Sequence, residues 1–252
     1  ELYERVTRMH VHERSPYAGQ LVFAAFSGSH QDAIAKGMKY REDRNSDLWT
    51  VPYLPIDPQD VGRRYDGDVI RINSQSGKGG VAYVLEANYG YDIPKRMREE
   101  IGYRMKDISD KGHRELKPSE IKDIFENEYV NRKDKVEIDD AVFVKLPKTA
   151  DLGDNGMEVT IDAIMNGKDY VLTGKGNGRL DAVTNALRQG PYKLDYDFVT
   201  YHEHALEGES SSRAASYVAI VKDGKLFWGV GIHNDIIYAS INALISAINR
   251  AF

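Results

Sequence analysis

The 252-residue sequence predicts an α+β protein: small helical and α/β accessory subdomains first, then a domain of two pseudo-symmetric βββα units. Three observations predict it. Shifting the sequence by 57 residues lays GKGNGRLDAVTNAL (174–187) over GIHNDIIYASINAL (231–244), with six of fourteen positions identical. The same shift lays Asn166-Gly167-Lys168 over Asp223-Gly224-Lys225. Asn-Gly and Asp-Gly are strong two-residue hairpin signals, because both turn positions take positive φ. The first half, by contrast, shows apolar residues at helical spacing between proline-rich breaks.

Taken in order, residues 1–9 read as a helix, and HVHERSPYAG breaks it at Pro16 and Gly19. Ser29 with Asp32 resembles a capping box, so a helix is expected from His30. Residues 41–68 are charged and carry Pro52, Pro55 and Pro58, which reads as an ordered but irregular connector. DVIRIN (68–73) alternates like a strand. GVAYVLEANYG (80–90) is expected to be a second strand, although its apolar run also suits a buried helix. Pro94 precedes a helical stripe of Met97, Ile101, Met105 and Ile108, and a further helix follows Pro118-Ser119. NRKDK (131–135) is a polar linker whose composition suits a hinge. The expected domains are therefore 1–60, 61–130 and 131–252.

In the last domain, unit one is VFVKL, MEVTIDAIM, DYVLTG and a helix from Arg179. Unit two is DFVTYHEHAL, ASYVAIV, LFWGVGI and a helix from Asp235, striped by Ile237, Ile241, Leu244, Ile245 and Ile248. Neither unit covers its apolar faces alone, so the two pack together. Ligands favour the seams of such arrangements.

Bulk composition excludes several classes. A net charge of -5 gives no basic excess for nucleic acid. There is no cysteine, hence neither a disulfide nor a thiolate metal site, which fits a cytoplasmic protein. No apolar run reaches membrane-span length. The sequence starts inside a helical pattern without a start Met, and reads as a piece of something longer.

The glycine-rich stretch TGKGNGRLDA (173–182) invites comparison with a phosphate loop, but no Ser or Thr follows Lys175 and the Walker spacing is absent. In unit two its glycines give way to Ile232, His233 and Asp235, while the Asn survives. The remaining readings are a strand-to-helix turn needing positive φ, and a loop whose backbone amides meet a small ligand's carboxylate at a helix start. NSQSGKGG (73–80) also departs from the Walker pattern and reads as a tight turn between strands. His10 and His12 have metal-like spacing on a strand but no evident third ligand, and read as structural or solvent-facing; His202-Glu203-His204 is not the H-E-x-x-H pattern and reads as structural. His30 stands at an expected helix N-terminus, where a neutral imidazole serves as a base or a hydrogen-bond partner, although an ordinary surface histidine fits the same pattern.

HERSPYAGQLVFAAFSGSHQDAI (12–34), WTVPYLPIDPQDVGR (49–63) and RINSQSGKGGVAYVLE (71–86) resemble the segment that follows the catalytic barrel of 2-isopropylmalate synthase. GKGNG (174–178), YHEHAL (201–206), RAASYV (213–218), WGVGI (228–232) and SAINRA (246–251) resemble its C-terminal regulatory domain. The resemblance implies a homodimeric acyltransferase that condenses acetyl-CoA with 2-oxoisovalerate in leucine biosynthesis. It also implies feedback inhibition by leucine, and a divalent metal (Mg, Mn or Zn) held in a barrel whose residues would lie upstream of Glu1. The chain alone would then be inactive and hold no cofactor. The resemblance assigns catalytic support to His30, near the acetyl-CoA methyl, and to Tyr53, through its hydroxyl. It assigns leucine binding to Gly176, Asn177, Gly178, Leu180, Tyr201, Ala205, Ala214, Asn234 and Ile236. Arg179 and Asp181 depart from the family pattern, and a carboxylate at 181 facing the pocket would repel the ligand's own carboxylate. A non-catalytic amino-acid-sensing module and a related citramalate or homocitrate synthase are the alternatives.

Overall fold

The computed structural model describes residues 2–19, 21–25, 28–63, 78–112, 114, 116–148, 152, 154–192, 194–207 and 212–252. The described residues form an α+β protein with seven α-helices and two three-stranded antiparallel sheets. The chain divides into two compact units, Glu1–Lys122 and Asp123–Phe252.

The first unit is helical. It holds α1 (Leu2–Thr7), α2 (Gly28–Asp43), a 3₁₀ turn (Pro58–Val61), α3 (Lys78–Tyr89) and α4 (Lys95–Gly112). α2 begins two residues before the expected start, so Ser29 lies in its first turn rather than at its cap. The connector after α2 folds back on it: Val51 and Leu54 join Phe23 and Ile34 in a small core. Arg41 closes the return with an ion pair to Asp57 at 3.0 Å and lies over the Trp49 ring. The expected strand at 68–73 lies outside the described residues, as does most of NSQSGKGG. The expected second strand at 80–90 is instead helix α3. Val81, Ala82, Val84 and Leu85 are buried while Glu86, Ala87 and Asn88 are exposed, which is a helical face and not a two-residue alternation. Lys78, Gly79 and Gly80 therefore open this helix rather than turn between strands. α3 packs against α2 and α4, and α4 buries Met97, Ile101, Met105 and Ser109, one residue per turn. Ile108 sits half-buried beside that stripe.

α5 (Pro118–Tyr129) carries the chain across the division between the two units. In the second unit, β1 (Val136–Lys145), β2 (Met157–Met165) and β3 (Lys168–Gly176) form one sheet with α6 (Arg179–Arg188). β4 (Asp197–Ala205), β5 (Ala214–Lys222) and β6 (Lys225–His233) form the other with α7 (Ile236–Ala251). The 57-residue shift carries β2 onto β5, β3 onto β6, and the start of α6 onto that of α7. Both hairpin turns hold the left-handed pairs expected: Asn166 and Gly167 at φ 49° and 75°, Asp223 and Gly224 at φ 50° and 72°. The first strands follow a different offset. β1 and β4 carry bulges at Asp139 and Val199, which are 60 residues apart. One shared core takes in both halves, from Val159 and Ile161 on β2 through Ala186 and Leu187 on α6 to Val218 on β5 and Leu244 on α7.

The polar run 131–135 is fastened to this unit. Asn131 pairs with Ile232 through both its side-chain amide groups, and Ser246 Oγ accepts the Arg132 N–H at 2.7 Å. Asn249 Oδ1 accepts the Lys135 and Val136 N–H groups, and its Nδ2 donates to the Arg132 and Val136 carbonyls. Its composition suited a hinge, but within the second unit its backbone is tied down at Asn131, Arg132 and Lys135.

Candidate functional site

None of Gly174, Gly176, Gly178 and Gly231 takes a left-handed conformation. Gly178 has φ −171°, which is ordinary extended backbone. A Cβ at Gly174 would lie 2.4 Å from the Ala182 carbonyl oxygen, and one at Gly231 1.9 Å from that of Ala239. Each helix thus crosses its strand at backbone contact distance, glycine beneath alanine, and the paired positions Gly174/Gly231, Ala182/Ala239 and Ala186/Ala243 repeat because both crossings need them.

This close crossing sets the α6 N-terminus at the seam of the two halves, above a cavity of about 860 Å³. Asn177, Gly178, Arg179, Leu180, Asp181, Thr184 and Arg188 form one wall. Lys145 and Met157, from facing ends of β1 and β2, form another, together with Asn155. Phe198, Tyr201 and Glu203 of β4 and Ile236, Ile237, Ser240 and Ile241 of α7 close the rest.

The two helix starts differ. At α7 the Asp235 side chain accepts the Ile237 N–H at 2.7 Å. At α6 the cap is Gly178, which offers no side-chain acceptor. The first helical hydrogen bond runs from Ala182 N–H to Gly178 O, so the amides of Arg179, Leu180 and Asp181 precede the helical ladder without a side-chain cap. These amides, with the positive end of the helix dipole, favour an anion. Asp181 lies at the same turn, and its Oδ2 accepts the Asn177 N–H at 2.9 Å. Across the cavity the Tyr201 hydroxyl lies 2.8 Å from Ser240 Oγ and also meets the Glu203 carboxylate. Ser240 donates to the Ile236 carbonyl, and Ser216 Oγ stands 3.4 Å behind it. The arrangement offers apolar surface, amide donors at one end, the carboxylates of Asp181 and Glu203, and the basic residues Lys145, Arg179 and Arg188.

In the first unit, His30 and Tyr53 are brought together. Their rings stack at 4.0 Å with 23° between planes. His30 lies in the first turn of α2. Tyr53 takes φ 63°, a left-handed conformation unusual for a bulky residue, and remains 61% exposed. Its loop is held by the Trp49 Nε1–H donated to Leu54 O at 2.7 Å and by burial of Val51 and Leu54 on either side. A left-handed residue kept in place by its surroundings is the kind of local strain found at functional sites.

Residues 20–86 match the family described as alpha-isopropylmalate synthase, post-catalytic domain-like. Residues 115–252 match the LeuA allosteric (dimerisation) domain. The 2-isopropylmalate synthase of Helicobacter hepaticus is 53% identical over 251 residues, 99% of this chain and 45% of that protein. That of Desulfitobacterium hafniense is 54% identical over 248 residues, 98% of this chain and 43% of that protein. That of Clostridium acetobutylicum is 45% identical over 253 residues, 100% of this chain and 44% of that protein. The chain belongs to the 2-isopropylmalate synthase family. It spans less than half the length of these synthases.

Of the positions the family resemblance nominated for leucine, Asn177, Gly178, Leu180, Tyr201 and Ile236 line the cavity. Four do not. Gly176 is buried beneath α6, where a Cβ would lie 2.4 Å from the Ala182 nitrogen. Ala205 and Ala214 are cross-strand partners at the far end of β4 and β5, and Asn234 is exposed before the Asp235 cap. Phe198, Glu203, Thr184, Arg188 and Ser240 line the cavity without having been nominated. The bulge at Val199 hid Phe198: the extra residue lets Phe198, Tyr201 and Glu203 share one face, opposite Ile220, Val218 and Ser216. On the other face His202 and His204 pack around Tyr217, with His204 Nε2 3.1 Å from its hydroxyl. Among the described residues no three His, Cys, Asp or Glu side chains gather to hold a metal. No helix of the described residues is long and apolar enough to cross a membrane.

Proposed function

We propose that this chain is the leucine-responsive part of a cytoplasmic, homodimeric 2-isopropylmalate synthase. Free leucine binds in the seam cavity as the feedback signal. The parent enzyme condenses acetyl-CoA with 2-oxoisovalerate. The cavity carries this reading: it joins an uncapped helix start, suited to a carboxylate, to apolar walls from Leu180, Ile236, Ile237 and Ile241. Its volume of about 860 Å³ leaves ample room for an amino acid. The stacked His30 and Tyr53 form a second functional pair, reaching the reacting groups of the parent enzyme, where the imidazole serves proton transfer and the phenol positions the substrate.

Calorimetry of the chain against leucine and against ATP tests the regulatory reading. Leucine should bind, and Leu180→Arg, which fills the cavity with a charged side chain, should abolish binding while leaving the melting temperature within a few degrees. ATP binding without leucine binding would overturn the reading. The same chain should show no turnover of acetyl-CoA with 2-oxoisovalerate. His30→Ala in the parent enzyme should collapse kcat without unfolding, and near-normal turnover would remove His30 from the mechanism. Leucine binding by the chain with no effect on any parent synthase would favour a stand-alone amino-acid sensor.

A further inference from the structure

We infer that Asp181 is the residue by which the cavity distinguishes an amino acid from the corresponding 2-oxo acid, its carboxylate receiving the ligand's ammonium. The inference rests on the leucine reading and adds a role that runs against simple charge repulsion. Asp181 is the third residue of α6, one position beyond Leu180, so its carboxylate lies beside the amides of the first turn. Its orientation is set from two sides: Oδ2 accepts the Asn177 N–H at 2.9 Å, and Asn185 Nδ2 lies 3.4 Å from Oδ1. Gly176 makes room for it, since a Cβ there would lie 2.7 Å from Asp181 Oδ2. Both hydrogen bonds come from neutral groups, and among the described residues no cation pairs with this carboxylate. It is half-buried and lines the cavity, where an unpaired negative charge is more costly than in water.

An α-amino acid resolves the conflict. Its carboxylate and ammonium sit on one carbon, so a carboxylate resting on the Arg179 and Leu180 amides brings the ammonium to the adjacent Asp181. A 2-oxo acid of the same side chain brings the same carboxylate without the ammonium and meets the Asp181 charge uncompensated. The second cavity carboxylate, Glu203, stands on the opposite wall and is exposed, so water solvates its charge. The geometry thus makes the site responsive to the finished amino acid and indifferent to its oxo-acid precursors.

The test compares L-leucine with 4-methyl-2-oxopentanoate by calorimetry, on the wild-type chain and on Asp181→Asn. Asn keeps the acceptor for the Asn177 N–H and the shape of the turn while removing the charge. Wild type should prefer leucine strongly. Asp181→Asn should weaken leucine roughly 10- to 100-fold, the scale of one charge-assisted hydrogen bond. The oxo acid should bind tighter to the variant than to wild type, so that the preference largely disappears. An unchanged leucine-to-oxo-acid ratio, with only the melting temperature lowered, would show Asp181 to be a helix-capping residue and overturn the inference while leaving the leucine site standing. Failure of leucine to bind wild type would overturn both. If Asp181→Asn melts early, Asp181→Ser, which retains a short side-chain acceptor, must give the same collapse of preference.

Discussion

Replacing Asn249 with Ala should destabilise the C-terminal unit more than any single surface change. Asn249 is only 8% exposed and uses all its hydrogen-bonding capacity on one short segment. Oδ1 accepts from Lys135 and Val136 at 2.8 Å each, and Nδ2 donates to Arg132 O at 2.9 Å and to Val136 O at 2.7 Å. Truncation leaves four backbone groups unpaired. The two on Val136 are buried, and each costs about 1–3 kcal/mol when orphaned. The two on Lys135 and Arg132 are partly exposed and recover water, adding about 1 kcal/mol together. The sum is about 3–7 kcal/mol, a large share of the ~5–15 kcal/mol that holds a domain together.

Urea unfolding reads this directly, because the chain has two tryptophans, Trp49 in the first unit and Trp228 in the second. In a Trp49→Phe background Trp228 fluorescence reports the second unit alone, and the midpoint should fall by about 1.5–3.5 M for a slope near 2 kcal/mol/M. Hydrogen exchange at the Val136 amide should accelerate in step. A loss below about 1 kcal/mol, with Val136 still protected, would refute the claim that Asn249 fastens the segment.

Other perturbations reach different parts of the molecule. Gly231→Ala should prevent soluble folding of the second unit, since its Cβ would lie 1.9 Å from the backbone oxygen of Ala239 and neither strand nor helix can retreat without opening the core; circular dichroism and expression yield check it. Glu207 is held below the usual glutamate range by its Arg213 side-chain hydrogen bonds and the Arg213 N–H, so its contribution to the loop between β4 and β5 is complete above about pH 4.3 and disappears as pH falls through the lowered value. An NMR titration should place its midpoint below that of a free glutamate, and Arg213→Gln should raise it.

The elements of the second unit were legible because each rests on local chemistry. Asn-Gly and Asp-Gly dictate the turns, alternation dictates the strands, and the stripe from Ile237 to Ile248 dictates α7. The repeat was visible because two crossings impose the same glycine–alanine contacts. The run at 80–90 was not legible, since a continuous apolar stretch fits a strand or a buried helix until neighbours α2 and α4 are in place. His30 and Tyr53 could be nominated from motif resemblance, but their 4.0 Å stacking depends on a 23-residue excursion that returns to α2.

The sequence by itself determined the family, the pseudo-symmetric pair of βββα units and the wall around Asn177 and Leu180. Only the tertiary structure decided what the glycines are for, since close approach of a helix is a property of two segments and not of one. It also placed Phe198 and Glu203 in the cavity, through a bulge that local alternation does not reveal. And it fixed how Asp181 is turned: the charge was plain in the sequence, but the direction of its carboxylate depends on the Asn177 amide and the space over Gly176.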